Sequence, residues 1–416
     1  MTLFALIDCN NFFASCERLF RPDLHYKPIV VLSSNDGCVI ARSDETKALG
    51  IEMGEPFFKI RALCAQHKIH VFSSNHHLYS DISLRVMSVI QAAWEETQVY
   101  SIDEAFLDLR TMREGEVEAF CWQLQKNILQ ATGIPTSIGI GPTKTLAKAA
   151  NYIAKKKLKM PVFSIVNQSS WLKQLDVGEI WGIGRQSQQK LRDFGIHTAF
   201  ELMHWDPHAL KIQGNQCLRR TVAELHGQSR YDVEGVEKSK SILSSRSFGS
   251  VQTAYTALRE AAGYHCRIAW EKLRRQQLKV KHLSVFVYLH PNRESRTISM
   301  TLPVSTDDLR ILTRYTEFCL KKLYQPGKGY KKCGVLLSDL EDKSVRQYDL
   351  FHEISDSELI HTEKTMELIE AINHKYQNKM IYLAAEGTTK KWTTKKMRIT
   401  PCYTTKWTDL AIAHAR

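Results

Sequence analysis

Short apolar runs, each cut off by an acid or a turn residue, alternate with helix-spaced stripes through the first third of the chain. Leu3–Ile7 is an unbroken apolar run ending at Asp8, the pattern of a buried strand. Behind it Phe12, Phe13, Cys16 and Leu19 recur at helical spacing, with Asn10 or Asn11 placed to cap that helix. Pro28–Ser33 and Cys38–Ala41 predict strands on either side of an Asn35-Asp36-Gly37 turn. Ser43 then opens a short helix that carries Lys47 and is stopped by Gly50. Asp81–Trp94 and Glu116–Ala131 have the period of amphipathic helices. Between them Val99, Tyr100 and Ile102 precede two adjacent acids, Asp103 and Glu104, and Ala105, Phe106, Leu107 and Leu109 follow. Thr136–Ile140 predicts a strand, and Gly139-Ile140-Gly141-Pro142 turns it into a helix from Thr143.

Further on, Trp181-Gly182-Ile183-Gly184-Arg185 follows one helical stretch and opens another, and polar Gln228–Ser241 reads as a linker. Beyond it the predicted order is regular: strand Ile242–Phe248, helix Tyr255–Arg275, strands Leu283–Leu289 and Thr297–Leu302, helix Thr306–Leu323, strand Cys333–Leu340. This β-α-β-β-α-β order is the ferredoxin-like split βαβ pattern of a small independent domain. Ser357–Tyr376 predicts a further helix, and the tail from Thr388 mixes Lys390, Lys391, Lys395, Lys396 and Arg398 with Trp392.

At 416 residues the chain has room for about three domains. Its 57 Lys and Arg against 44 Asp and Glu leave a net charge of +13, which favours a polyanionic partner such as nucleic acid. No apolar run is long enough for a membrane span, and the first residues lack a signal-peptide pattern. The ten cysteines are scattered without a CxxC pair, so we read them as reduced cytosolic thiols that pack as small hydrophobes.

Within this frame Asp103 and Glu104 have three readings: a polar turn between strands, an acid–base pair, or a divalent-metal site. Neighbours on a straight strand face opposite ways, so a shared site requires a turn or bulge at the pair. Asp8, at the end of another strand, either caps the next helix or supplies a third acid. Three carboxylates suit Mg²⁺, which takes few protein ligands and completes its shell with water and phosphate. The helix from Thr143 carries Lys144, Lys148 and Lys155, with Lys156, Lys157 and Lys159 beyond, and reads as a phosphate-holding helix or a solvated basic face. GIGPTKT is superficially similar to a P-loop but lacks its Gly-Lys pair. Gly182 and Gly184 fit either a helix-hairpin-helix that holds a DNA phosphate or an ordinary tight turn. Lys279, Lys281, Arg293 and Arg296 make the β-α-β-β-α-β domain basic, and Gln347, Leu350 and Phe351 form a Q-x-x-L-F string suited to docking in an apolar pocket.

Together these features resemble the Y-family, or translesion, DNA polymerases, and within them the UmuC-like catalytic subunits of bacterial DNA polymerase V and their mobile-element relatives. The matching stretches are DCNNFFASCE, FRPDL, KPIVVLSSNDGCVIARSDETKALGI, FSSNHHLYSDIS, YSIDEAFLDL, GIGPTKTLAKAAN, WGIGR, SSRSFG, QYDLF and TPCYTTKWTDL, spread over essentially the whole chain. The resemblance implies an α+β multidomain right-hand polymerase. Its palm would span 1–20 and 73–165, fingers 21–72, and a helical thumb with the helix-hairpin-helix 166–230. A linker at 231–241, a ferredoxin-like-order little finger at 242–342, and a clamp motif with a UmuC-type C-terminal extension at 343–416 would follow. It makes Asp8, Asp103 and Glu104 the catalytic carboxylates, holding two Mg²⁺ with the main-chain carbonyl of Cys9. Phe13 would be the steric gate under the incoming sugar, where UmuC-type enzymes often carry Tyr. Lys47 and Lys155 would hold the dNTP triphosphate, although many relatives outside the UmuC branch have Tyr where this chain has Asp44. Gly182, Gly184 and Arg185 would grip primed or damaged DNA, and Gln347, Leu350 and Phe351 would meet a sliding clamp. The tail implies a UmuD′-like dimer and RecA as partners, in a bacterial cytoplasmic, nucleoid-associated enzyme of the SOS response. The competing class is a non-catalytic, clamp-associated DNA-binding repair protein whose acids are structural. It accounts for the charge and the QYDLF string, but not for three strand-end acids beside a basic triphosphate side.

Overall fold

The computed structural model describes residues 2–166, 168–205, 216–231, 238–292, 294–345, 356–376, 380–388, 390, 392–410 and 412. The predicted clamp string at Gln347, Leu350 and Phe351 lies outside the described residues, as does Arg293. The chain divides into two compact units: residues 1–33, 37–235 and 398–416 in one, and 34–36 with 236–397 in the other. The stretch after residue 342 is therefore shared between the two.

In the first unit the elements are β1 (Phe4–Cys9), α1 (Phe12–Leu19), β2 (Ile29–Leu32), β3 (Val39–Arg42), α2 (Asp44–Ala48), α3 (Phe57–Gln66), β4 (His70–Ser73), α4 (His76–Ala93), β5 (Thr97–Val99), β6 (Glu104–Asp108), α5 (Glu114–Thr132), β7 (Thr136–Gly141), α6 (Lys144–Ile153), β8 (Val162–Ser164), α7 (Arg185–Asp193), α8 (Ala199–Met203) and α9 (Gln216–Leu225). A π-helical turn, Ala154–Leu158, continues α6. The main sheet has the order β5-β6-β1-β7-β8, and a three-stranded sheet has the order β3-β2-β4.

β1 is central, and strand alternation divides its side chains between two cores. Phe4 and Leu6 pack with Phe106 and with Ala147 of α6. Ala5, Ile7 and Cys9 enter a larger core with residues of α4 and α5 such as Ile82, Val86, Val117 and Leu124. Full burial of each large apolar side chain stabilises by roughly 1.5–3 kcal/mol, so the register that splits the two sets is strongly fixed. Asp8 continues the Phe4–Leu6 face toward α6.

Several expectations change in detail. The helix predicted from Thr306 starts at Leu309, because the strand before it runs to Thr306 and Asp308 caps the helix by accepting from Arg310 N–H (2.8 Å). The helix predicted from Asp81 starts at His76, because Asn75 caps it by accepting from Leu78 N–H (3.3 Å). The first cap is Asn11 by position, in the left-handed region (φ 50°), but its side chain makes no capping hydrogen bond.

The second unit comprises β9 (Ser241–Gln252), α10 (Tyr255–Arg275), β10 (Leu278–His290), β11 (Ser295–Thr306), α11 (Leu309–Leu323), β12 (Gly329–Asp342) and α12 (Asp356–Lys375). Its sheet has the order β11-β10-β12-β9 with antiparallel pairing throughout, so each βαβ unit is split by a strand of the other. One face packs on α10 and α11 through Leu258, Trp270, Val285, Leu312 and Leu320. Phe286 and Tyr288 are only half-buried, and the Lys332 ammonium lies 5.7 Å and 5.3 Å from their ring centres. Arg267 and Glu386, both fully buried, pair at 2.8 Å and tie α10 to the segment before residue 388.

Candidate active site

Asp8 and Glu104 are direct cross-strand partners in the β1–β6 ladder, so they share one face. That face carries α6 and its π-helical extension, which bring a lysine to each acid. Lys148 meets Glu104 at 2.9 and 3.0 Å, and Lys155 meets Asp8 at 2.5 Å. The two lysines stand seven residues apart, two turns along one helical path. A π turn is a rare departure from α geometry that recurs at functional sites, and here it holds Lys155. Asp103 sits in the β5–β6 turn rather than mid-strand. Tyr100 and Ser101 N–H both donate to Glu104 O (3.0 and 3.1 Å), and Cys9 N–H donates to Asp103 O (2.9 Å). The Asp103 carboxylate accepts from Ser101 Oγ at 2.6 Å. The turn therefore gathers Asp8, Asp103 and Glu104 at one end of the sheet.

Burial pushes the Asp8 carboxyl above its usual range, against the pull of Lys155, and the charges of Glu104 and Asp103 add to the rise. Cys9 is buried in the core and its thiol is pushed well up by desolvation, so only its main-chain oxygen suits a hard cation. Among the described residues no three His, Cys, Asp or Glu side chains close into a metal cage. The donor set is one of hard oxygens at a strand end, with Asp8 and Glu104 each paired to a lysine. It fits Mg²⁺, which is bound by one or two carboxylates and shares its remaining positions with water and phosphate.

Next to the acids is a cleft of about 690 Å³ lined by Asn11, Asp44, Lys47, Lys155, Lys156 and Lys159 among others. Four ammonium groups face one carboxylate there, a balance suited to a polyphosphate. Lys47 donates to Asp44 at 2.8 Å and to Asn11 Oδ1. Burial opposes ionisation of Asp44, but hydrogen bonds from Lys47 and Asn11 outweigh it and hold its carboxyl below the usual range. Burial and the neighbouring Lys47 lower Lys156. Phe13, two residues from the cleft-lining Asn11, is half-buried and stacks on Tyr79 (ring centres 4.5 Å apart, 18° between planes).

The start of α6 has first-turn N–H groups already engaged within the chain. Thr143 caps it at Leu146 N–H (3.2 Å), and the buried Glu224 carboxylate accepts from Thr145 N–H (3.1 Å). Lys144 is itself buried, donates to Gln98 at 2.6 Å and lies over Phe106. The GIG glycines serve packing instead: a Cβ on Gly139 would come within 2.1 Å of Asn151 N. Gly182 and Gly184 are exposed, with Gly182 in the left-handed region (φ 90°) and Gly184 at the N-cap of α7, where Arg185 is exposed. The element before them is only a short 3₁₀ turn, Val177–Glu179. Sequence reasoning missed Glu17 and Tyr79, which share a hydrogen bond below Phe13. An acid four residues after Phe13 on an otherwise apolar stripe was the available signal.

Residues 7–152 match the model of the impB/mucB/samB family, residues 239–350 its C-terminal domain, and residues 167–196 its HHH motif. Protein ImpB of Salmonella typhimurium is 39% identical over 99% of both chains. The chain belongs to the impB/mucB/samB family. Protein UmuC of the same organism is 37% identical over 98% of this chain and 99% of its own. Residues 363–413 match a domain of unknown function, DUF4113. Among solved structures, the Y-family DNA polymerase chimera Dbh-Dpo4(243-245)-Dbh superposes with a TM-score of 0.69 at 20% identity, over 82% of this chain and 99% of its own. Sequence thus places this impB/mucB/samB-family chain among UmuC-like proteins, and its fold is that of the Y-family polymerases.

Proposed function

We propose that this UmuC-like Y-family chain is a template-directed DNA polymerase that carries out error-prone translesion synthesis in the SOS response. The observation that supports this most is the cross-strand pair Asp8–Glu104, with Asp103 at the adjoining turn, beside the lysine-lined cleft. A non-catalytic DNA-binding protein has no use for three costly carboxylates gathered against a polyphosphate-sized basic cleft.

In this reading Asp8, Asp103, Glu104 and the Cys9 carbonyl would hold two Mg²⁺, which would supply a lowered pKa for the primer 3′-hydroxyl and charge neutralisation for the leaving pyrophosphate. The chain's own groups do the positioning. Lys47 and Lys155 bind the triphosphate of the incoming dNTP, and Lys156 adds positive charge from the cleft wall. Phe13 stands under the sugar and excludes a 2′-hydroxyl by bulk. Lys148 holds Glu104 in place and lies over the Tyr100 ring at 4.8 Å, which restrains the β5–β6 turn. Most of the rate enhancement is then orientation and preorganised charge.

The first unit supplies palm, fingers and thumb, with Gly182, Gly184 and Arg185 on the DNA backbone. The second supplies the little finger, whose sheet presents Lys332, Phe286 and Tyr288 to the duplex. The sliding clamp at Gln347, Leu350 and Phe351, a UmuD′-like dimer, RecA and a cytoplasmic, nucleoid-associated setting complete the proposal. Among the described residues no helix is long and apolar enough to cross a membrane.

Extension of a primed template with dNTPs and Mg²⁺, on undamaged and abasic templates and with and without clamp and partner, tests this reading. We expect extension past the abasic site. Tight, salt-sensitive DNA binding with no extension under any of these conditions favours the non-catalytic alternative.

A further inference from the structure

The tail returns to the first unit and runs beside the residues beneath Phe13. Ser73 N–H donates to Arg398 O (3.0 Å) and Arg398 N–H to Ser73 Oγ (2.9 Å), so the tail is tied to the end of edge strand β4. The fully buried Asn75 donates from Nδ2 to Thr400 O (3.0 Å), Thr400 Oγ1 (3.2 Å) and Pro401 O (3.2 Å). Tyr403 stacks on Phe20 of the segment after α1, with ring centres 4.6 Å apart and planes within 16°.

One tail contact is chemically distinct. Thr400 Oγ1 donates to Glu17 Oε1 at 3.3 Å, and the Tyr79 hydroxyl donates to the same oxygen. Glu17 is 1% exposed and Tyr79 fully buried. A buried carboxylate is costly unless hydrogen-bonded, so both donors are needed where they are. Glu17 and Phe13 are four residues apart on α1 and lie on one face. Tyr79 is thereby held twice, its hydroxyl by Glu17 and its ring by the stacked Phe13.

We propose that the strap Arg398–Tyr403 is a positioning element for sugar selection: Thr400 and Asn75 fix the Glu17–Tyr79 pair, and Tyr79 sets the plane of the Phe13 ring. The proposal rests on Phe13 acting as the gate. It gives the tail of the DUF4113 match a role inside the polymerase itself. A strap that only stabilised the fold would lower activity towards every nucleotide alike. A strap that sets the ring changes the ratio of deoxyribonucleotide to ribonucleotide insertion.

The test uses the full chain in single-nucleotide insertion, with dNTP and the matching rNTP measured as separate kcat and KM values. Thr400→Val keeps the shape but removes the hydroxyl, and Thr400→Ser restores it. Thr400→Val removes the donor to Glu17 and one of three acceptors of Asn75 Nδ2, and we expect it to lower the dNTP/rNTP selectivity by about threefold to tenfold, the factor of one net hydrogen bond. Most of the change should lie in ribonucleotide kcat/KM, and Thr400→Ser should return the parent ratio. Phe13→Ala is the internal reference. If Phe13→Ala admits ribonucleotides while Thr400→Val keeps the parent ratio, the strap proposal is overturned and the gate stands. If Phe13→Ala itself keeps the parent ratio, the gate assignment fails and the proposal fails with it.

Discussion

Glu17→Gln should make the protein more stable at pH 8 than at pH 5, relative to the parent chain. Desolvation raises the Glu17 carboxyl from 4.5 to about 7, and the hydrogen bonds from Tyr79 and Thr400 only partly offset that rise. The folded state therefore holds a proton that the unfolded chain releases. Below pH 4.5 both states are protonated and Glu17 costs nothing through ionisation. As pH rises the unfolded chain gains free energy by ionising, and stability falls until the folded group also ionises near pH 7. A shift from 4.5 to about 7, at 1.36 kcal/mol per unit, makes the full penalty roughly 3 kcal/mol, reached by pH 8, and only about 1 kcal/mol at pH 5. Glutamine keeps a carbonyl oxygen for Tyr79 and Thr400 and does not titrate. The assay is the difference in melting temperature between Glu17→Gln and parent at the two pH values, which cancels every other titration. The variant should gain about 2 kcal/mol between pH 5 and pH 8, on the order of 5 °C for a unit of this size. An identical offset at both pH values would mean that Glu17 titrates alike in the folded and unfolded chain, against this prediction.

Charged contacts elsewhere in the chain give two further outcomes. Lys47→Ala and Lys155→Ala should each raise KM for the incoming dNTP by roughly tenfold or more, as expected for a charge-assisted phosphate contact; an unchanged KM in steady-state insertion would remove that lysine from the triphosphate site. Glu386→Gln should destabilise the second unit by about 3 kcal/mol, since it strands a buried guanidinium, with Glu271 left as partial compensation; calorimetry that finds no loss would contradict the buried pair.

Much of this site was legible because strands carry their chemistry in simple ways. An apolar run that ends on an acid marks a strand delivering that acid to an edge, which is how Asp8 was found. Two adjacent acids between apolar flanks require a turn if they are to share a site, and the β5–β6 turn has that form. What sequence could not show is which basic residue meets which acid. Lys144, Lys148 and Lys155 look equivalent along the chain, yet Lys144 is buried against Phe106 while the other two reach Glu104 and Asp8. Lys144 and Lys148 meet successive same-face positions of β6, Phe106 and Glu104, and the π turn carries Lys155 on to Asp8; that pairing along the strand has no clear sequence signature. The α6 start stayed open between a phosphate-holding helix and a solvated basic face because its partner, Glu224, lies 79 residues away from Thr145. The tail's return to β4 was hidden for the same reason: its main-chain bonds carry no residue-type signal, and Thr400 and Glu17 are separated by 383 positions.

In the function proposed above, Asp8, Asp103 and Glu104 together carry nucleotidyl transfer. Single-turnover primer extension by Asp103→Asn, with primed-DNA affinity measured on the same sample, tests it most directly. The exchange keeps the size of the side chain and its acceptor for Ser101 while removing the charge that would hold Mg²⁺. We predict extension reduced by orders of magnitude with DNA affinity within about twofold of the parent. Full extension by Asp103→Asn would mean that Asp103 holds no catalytic metal.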